Sequence, residues 1–354
     1  MTPNKSPRRQ PPLLPAALPR EIATHYEDGA SVTLYQGDRL DLLREIASRN
    51  AQAGLIVTSP PYNTGKEYET PTSLNEYVNQ QTETIRACLE ILSPTGSICW
   101  QVGHYIEGKG RDKEAFPLDL VLYPVFKRFG LKLRNRIVWH FGHGLHETYR
   151  LTGRHETILW FTQDTSDYTF NLDPIRVPQK YPGKRAFRGP AKGQPSGNPM
   201  GKNPTDVWEI PNVKANHVEK TQHPCQFPVA LVERLVLALT NEGDLVVDPY
   251  IGVGSTAVAC ALHNRRCAGA DTEPRYLETA RQRIRQAWNG TLRVRPMNKP
   301  VYQPDTRSAV ARVPEEWVPP PSVYAPCEPM MRRLCEESAP SEGDDECAGS
   351  APSG

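Results

Sequence analysis

The chain has 354 residues, 38% of them hydrophobic, with a mean hydropathy of -0.57 and a formal net charge of +2. That supplies a core for one large domain or two modest ones, excludes a membrane span and a leading signal peptide, and puts any basic surface down to local clustering. Eight cysteines without a Cys-x-x-Cys pair argue against a disulfide framework or a zinc ribbon and imply reduced thiols inside a cell.

Residues 1–20 form a basic, proline-rich arm (Arg8, Arg9, Pro11, Pro12, Pro15, Pro19), expected to be disordered. Ser31 to Asp38 alternates like a strand and ends in Gly37-Asp38, where Asp38 reads as the cap of a helix from Leu40 to Ser48. Gly54 to Val57 reads as a buried strand and runs into Thr58-Ser59-Pro60-Pro61-Tyr62-Asn63. Pro60 and Pro61 cannot donate to a ladder, so the chain leaves the sheet at Ser59, at the carboxyl end of the strand, where open α/β sheets carry their sites. A serine, a fixed Pro60 carbonyl and the face of Tyr62 suit a flat ring bearing an amino group. Such a ring stacks on Tyr62 while its NH2 donates to the serine oxygen and the carbonyl.

Leu74 to Leu92 has helical spacing, Ser97 to Val102 reads as a strand, and Pro117 opens a helix to Phe129. Leu133–Trp139 and His155–Phe161 read as strands that pair in a hairpin. His140, His143 and His146 lie in a glycine-containing loop with no cysteine or carboxylate to complete a set, so no metal site is expected. Periodicity then fails from Gln163 to Thr221. Within that stretch Arg176, Lys180, Lys184, Arg185, Arg188, Lys192 and Lys202 follow one another without an acid between Arg176 and Lys202, with Tyr181 and Phe187 interleaved. This is either a solvated insertion or the electrostatic footprint of a DNA binder, and the length of the positive run favours the second.

Pro228 to Thr240 reads as an amphipathic helix. Asp244 to Asp248 is a buried strand; Pro249, Tyr250, Gly252 and Gly254 follow, and Ser255 or Thr256 opens a helix through Leu262. Arg266 to Asp271 is a short strand ending in an acid, placed to hold two ribose hydroxyls, and Arg275 to Trp288 closes the core as a helix. Gly252-x-Gly254-x-x-Ala257 with a downstream acid also fits a dinucleotide fingerprint, which makes an NAD(P) enzyme the alternative. Asp248-Pro249-Tyr250 interrupts the bare turn such a fold needs, and a dehydrogenase leaves Ser59-Pro60-Pro61-Tyr62 unexplained. Past Asn289 the chain turns proline-rich and then acidic, and residues 290–354 read as a disordered tail.

Ser59-Pro60-Pro61-Tyr62 resembles the catalytic motif of DNA amino-methyltransferases, which use S-adenosylmethionine (SAM) on N4 of cytosine or N6 of adenine. Asp248-Pro249-Tyr250-x-Gly252-x-Gly254-Ser255-Thr256 resembles that family's SAM loop, with Tyr for Phe and Ser for Thr. His223-Pro224-Cys225-Gln226 resembles its His-Pro-x-Gln segment. Catalytic loop first and SAM loop last is the order of the family's beta group. The resemblance covers roughly residues 31–289 and implies a doubly wound, Rossmann-like SAM-methyltransferase sheet, with an antiparallel hairpin at one edge and an irregular target-recognition insertion. It divides the chain into an arm (1–20), a catalytic half (21–162), a target-recognition region (163–221), a SAM-binding half (222–289) and a tail (290–354).

The resemblance assigns Ser59, Pro60, Pro61 and Tyr62 to the flipped base. It assigns Asp38, Thr58, His223, Pro224, Gln226, Asp248, Pro249, Tyr250, Gly252, Gly254, Ser255, Thr256 and Asp271 to SAM. Asp38 is expected near the adenine, Asp271 on the ribose, Tyr250 by the sulfonium, and Ser255 and the His-Pro-x-Gln segment by the methionine end. Ser at position 59 leans toward N4 of cytosine. Double-stranded DNA is the expected partner, with a cognate restriction endonuclease and a second copy of the chain beside it, no membrane, and the prokaryotic cytoplasm as location. A catalytically silent DNA-binding module is the competing reading, and the intact motifs argue against it.

Overall fold

In the computed structural model the residues described are 18–62, 72–108, 110–142, 144, 146–302 and 305. Most of the basic arm, Asn63, His143 and the chain from residue 306 therefore lie outside the described residues. Residues up to 301 cluster as one unit, and those from 302 as a second.

The chain begins with β1 (Ile22–Ala23), β2 (Val32–Gln36), α1 (Arg39–Ser48) and β3 (Ala53–Thr58). Asp38 caps α1 and Ser73 opens α2 (Leu74–Ile91) with a complete capping box onto Glu76. β4 (Leu92–Val102), β5 (His104–Glu107), β6 (Glu114–Pro117), α3 (Leu118–Arg128), β7 (Lys132–His140) and β8 (His155–Thr162) follow. After the basic stretch come β9 (Val207–Glu209), α4 (Val229–Leu239), β10 (Leu245–Asp248), α5 (Ser255–Leu262), β11 (Arg266–Asp271) and α6 (Pro274–Trp288).

Among the described residues the main sheet runs β1-β2-β11-β10-β3-β4-β8-β7-β9. It is parallel from β1 to β4, antiparallel at β4–β8 and β8–β7, and parallel again at β7–β9. From β10 the chain winds outward through α5 to β11, and from β3 it winds the other way through α2 to β4. The two connections diverge between adjacent parallel strands, so a crevice opens at the β3/β10 carboxyl ends, the switch point of a doubly wound sheet.

The period-2 alternation of the strands sorts the core into two layers. Leu55 and Val57 of β3, Val246 of β10, and Ile158 and Trp160 of β8 pack with α4, α5 and α6. Ala53 and Ile56, Leu245 and Val247, and Leu159 and Phe161 pack on the other side with α1, α2 and α3.

Four features depart from the sequence reading. The hairpin β7–β8 is not at the edge, because β9 pairs parallel to β7 outside it. β5 and β6 form a second small sheet after β4. α4 is not amphipathic in its surroundings: nine of its eleven residues, Arg234 included, are buried. It shares one core cluster with Ile175, Trp208, Ile210, Leu292 and Met297, and the Arg234 guanidinium lies 4.8 Å from the Trp208 ring centroid. Finally, the chain stays folded past Asn289. Buried Glu219 accepts from the Val229 amide at the start of α4 and from the Arg295 amide, both at 2.9 Å, which docks residues 290–301 on the core. One carboxylate thus satisfies an open helix end and a strap at once.

α5 and α6 approach each other at Gly254, whose φ is +75°. A Cβ there would lie 2.7 Å from the Ala280 Cβ. Gly243 has a similar φ of +84° but nothing within 4 Å of its Cβ position. Gly254→Ala is expected to cost about 2–4 kcal/mol, strain plus overpacking, and Gly243→Ala about 1 kcal/mol, strain alone. Urea unfolding of the two variants measures the difference.

Candidate active site

The crevice is held by one carboxylate. Asp248 ends β10 with no exposure. Its Oδ1 accepts from the Thr58 hydroxyl at 2.6 Å and from the Tyr250 amide at 3.2 Å; its Oδ2 accepts from the Thr256 hydroxyl at 2.6 Å. Thr58 ends β3 and Thr256 lies in the first turn of α5. Asp248 therefore ties the loop after β3 to the glycine loop after β10. Burial pushes its carboxyl up to about 6 against these hydrogen bonds.

Beyond Thr58 the partly exposed Ser59 precedes buried Pro60, then Pro61 and Tyr62. The Ser59 and Tyr62 hydroxyls are 3.0 Å apart, and the Tyr62 hydroxyl donates to Glu156 Oε2 at 3.2 Å. Glu156 lies near the start of β8 and also accepts from the Gln101 amide of β4. Burial raises the Glu156 carboxyl to about 7 and pushes the Tyr62 phenol well up. Gly103 makes the cluster compact: a Cβ there would lie 3.3 Å from the Tyr62 ring and 3.5 Å from Glu156 Cγ. Sequence reasoning missed Glu156 because it stands inside a strand pattern; an acid entering an otherwise apolar strand was the available signal.

Across the crevice, Gly252 and Gly254 both have positive φ, and α5 begins at Gly254 without a side-chain cap. Its first amides therefore face the loop unblocked. Asp271, at the end of β11, accepts from the Gly252 amide at 3.2 Å and the Glu273 amide at 2.8 Å. A carboxylate has about four acceptor positions, so capacity remains for a bound diol. A Cβ on Gly252 would lie 3.4 Å from the His223 ring. Burial and the positive charges of Lys220 and Arg283 lower His223 to about 4, so the ring is neutral. Glycine loop, the carboxylate at the end of β11, open helix start and neutral ring form a cradle on this side of the crevice.

The sequence-assigned residues behave differently one by one. Thr58, Asp248 and Thr256 converge, with both hydroxyls turned inward to the carboxylate. Ser255 donates to the Phe227 carbonyl at 2.9 Å. Gln226 is buried and holds its own segment, accepting from Thr221 and donating to the Glu219 carbonyl, while Pro224 is exposed. Pro249 carries the turn out of β10, and the Tyr250 side chain heads for the α1/α2 layer. Its hydroxyl meets Gln81 and Thr84 at 3.3 Å each, and Arg39 lies 5.3 Å from its ring centroid. Asp38 gives one oxygen to the Leu40 amide and the other to Arg39.

Comparison with known proteins converges on one family. Residues 53–282 match the DNA methylase profile of N6- and N4-acting enzymes. The type II methyltransferase M.BglII of Bacillus subtilis is 46% identical over 75% of this chain and 72% of its own length. The chain belongs to this DNA methylase family. The DNA adenine methyltransferase YhdJ of Escherichia coli is 30% identical, over 71% of this chain and 82% of its own. A Thermus thermophilus protein solved with S-adenosyl-L-methionine superposes with a TM-score of 0.51 at 25% identity, over 73% of this chain and 94% of that one.

The methylase is thus a SAM-dependent DNA amino-methyltransferase, and the NAD(P) alternative falls with that membership. The residues present fit SAM: Gly252 and Gly254 hold the loop backbone at positive φ, where a side chain is strained, and Asp271 stands beside the loop, accepting from the Gly252 amide.

Its basic stretch is the most exposed part of the described structure. Lys180, Tyr181, Lys184, Arg185, Phe187, Arg188 and Lys192 all stand in solvent. A groove of about 460 Å³ is lined by Arg176, Lys180, Tyr181, Lys184 and Lys202 among others. Two of the predicted DNA contacts are partly engaged at home. Arg176 binds Asp173 and the Gly201 carbonyl, and Arg185 binds the Gly193 carbonyl at 2.6 Å. They shape the loop, and the remaining cations are open to a partner.

A stability prediction follows from Asp248. The folded methylase holds a proton on this group that an unfolded chain, with an ordinary aspartate near 3.9, releases earlier. Between about pH 4 and pH 6 the contribution of Asp248 to unfolding free energy therefore falls as pH rises, by up to about 1.4 kcal/mol per unit. Asp248→Asn is expected to flatten that slope, as read by urea unfolding across the window. Thr58→Val and Thr256→Val should each cost roughly 1.5–3 kcal/mol, with the double variant non-additive because both bonds share one carboxylate.

Proposed function

We propose that this enzyme methylates an exocyclic amine of a base flipped out of double-stranded DNA, with N4 of cytosine preferred to N6 of adenine. The observation that carries the reading is the pair of hydrogen bonds from Thr58 and Thr256 to Asp248, which ties the loop bearing Ser59 and Tyr62 to the glycine loop. SAM, when bound, supplies the activated methyl carbon. Asp271 takes the ribose and Asp38 the adenine side, and the His223-Pro224-Gln226 segment closes the methionine end. Thr58, Asp248, Pro249, Tyr250, Ser255 and Thr256 keep the loop in shape from behind.

Ser59 Oγ and the Pro60 carbonyl accept from the target NH2, and the nitrogen lone pair leaves conjugation with the ring. Positive charge grows on that nitrogen as the bond to carbon forms, so fixed acceptors gain strength in the transition state. Tyr62 offers its face to the base. The flip costs a few kcal/mol, offset by stacking and by these bonds. Lys180, Lys184, Arg188, Lys192 and Lys202 bind phosphates, with Arg176 and Arg185 ordering the loop beneath them. The type II methyltransferase relatives support a role as the modification enzyme of a restriction-modification system. A partner endonuclease encoded nearby, a homodimeric state and a place in the cytoplasm near the nucleoid belong to the same proposal.

Expression in a methylation-free bacterium, followed by sequencing that maps N4-methylcytosine and N6-methyladenine, tests the target. N4-methylcytosine at one short motif is expected; N6-methyladenine alone would overturn the base preference. Ser59→Ala should lower kcat roughly 10–100-fold with SAM affinity unchanged, from the loss of one acceptor at a charged centre. Replacing Lys184, Arg188 and Lys192 by Ala should flatten the log–log salt dependence of DNA binding by about 0.9 per lost phosphate contact. An unchanged slope returns that loop to the solvated-surface reading.

A further inference from the structure

We propose that Glu156 is the terminal base of a proton relay, Ser59–Tyr62–Glu156, that sets the polarity of the serine and carries away the proton released by the target amine. The inference deepens the proposed function and rests on its reading of Ser59 as an acceptor.

The argument begins with donors and acceptors. An ionised carboxylate only accepts. Glu156 Oε2 lies 3.2 Å from the Tyr62 hydroxyl, so that hydroxyl donates to it. The Tyr62 oxygen is then left to accept, and its neighbour at 3.0 Å is Ser59 Oγ. Ser59 therefore gives its proton to Tyr62 and turns lone pairs to the crevice, as an acceptor for an NH2 group must. A protonated Glu156 can donate to Tyr62 instead. The chain then reverses, Ser59 receives a proton from Tyr62, and its remaining hydrogen competes for the amine lone pair that the reaction needs.

The surroundings keep the carboxylate near the balance point. Gln101 of β4 donates to it, and Gly103 leaves room for it against Tyr62. β7 contributes Trp139, which pairs with Glu156 across the ladder. The titratable groups nearby are Tyr62 itself, Tyr77 of α2 acting on Tyr62, and His104 of β5, whose ring meets that of His155 edge-on at 6.0 Å. His104 is lowered by burial and by His155. Burial is the main cause holding Glu156 at about 7, where it exists in both forms at neutral pH.

The step balances. The target nitrogen forms its bond to the methyl carbon, and the carbon–sulfur bond breaks with its electrons remaining on sulfur. The proton on nitrogen passes to Ser59 Oγ, the serine proton to Tyr62, and the tyrosine proton to Glu156. One positive charge on sulfur and one negative charge on Glu156 disappear together, and solvent later takes the proton from Glu156. Glu156 touches neither substrate nor cofactor, so it is a positioning residue.

The test is single-turnover methyl transfer at saturating SAM and DNA, measured against pH for wild type, Glu156→Gln and Tyr62→Phe. The wild-type rate is expected to rise with pH, about tenfold per unit below the Glu156 value and level above it. Glu156→Gln and Tyr62→Phe should both lose this limb and roughly 100-fold of the plateau, with SAM and DNA affinities unchanged. Infrared titration of the ligand-free enzyme should show a carboxyl group ionising near 7, with that signal gone in Glu156→Gln. A flat wild-type profile, or a Glu156→Gln enzyme that keeps both limb and rate, overturns the relay. If Glu156→Gln does not fold, the wild-type profile and Tyr62→Phe decide the matter alone. Nucleoside analysis of the products separates the two readings. An amino-methylated base with a flat profile overturns the relay only, and a ring-carbon product overturns the reading of Ser59 beneath it.

Discussion

The carboxylate of Asp248 is the constraint on which the site depends. It sits where two parallel strands end side by side and their connections diverge, and it accepts from a hydroxyl on each side of the crevice. The β3–β10 ladder sets the two strand ends side by side, and Asp248 continues that tie past the ladder into both loops. Their sequences are 190 residues apart, and the chain between them carries the hairpin, the basic stretch and α4. Burying an acid without a cation is unfavourable, and the raised carboxyl records that cost. Three donors offset it, and together they fix the loop after β3 beside the glycine loop.

The same economy of acceptors recurs around the site. Glu219 joins α4 to the strap at Arg295, and Asp271 joins the glycine loop to the start of α6. Glu156 joins Tyr62 to Gln101. Each is an acid whose partners are hydroxyls or amides, so each fixes the direction of the donors around it as well as their distance. A site that must accept from an amine, and not donate to it, gains from neighbours that are acceptors only. The cations of the basic stretch are arranged in the opposite way. Most stand apart from any acid, exposed on a loop with little buried apolar surface, which suits the phosphate contacts proposed for them.

Legibility varied with the range of the interaction. α1 and α2 were readable because capping is local: Asp38 and Ser73 announce their helices within a few residues. β3, β10 and β11 were readable as apolar runs ended by a proline pair, by Asp248 and by Asp271. β9 was not, since three residues carry too short a pattern and become a strand only by pairing with β7. α4, read as amphipathic, is buried on nearly every side. The residues that share its cluster after β8, Ile175, Trp208, Ile210, Leu292 and Met297, come from segments with no periodicity of their own. The strap at 290–301 looked like tail for the same reason, its anchor being the buried carboxylate of a residue more than 70 positions earlier.

By itself the sequence determined the two motifs, their order and hence the family, because Ser59-Pro60-Pro61-Tyr62 and the Asp248-to-Thr256 loop are contiguous and their chemistry is carried within each. It also determined which residues could face a ligand, through glycines and prolines that restrict the backbone locally. Only the tertiary structure decided where the side chains of those motifs go. Thr58 and Thr256 turn to one carboxylate, Tyr250 turns away to α2, Gln226 holds its own loop, and Tyr62 reaches Glu156 on another strand. The reason is physical: a hydrogen bond in a closed crevice is made to whatever acceptor the fold brings within about 3 Å, and sheet order, which no local pattern encodes, sets which acceptor that is.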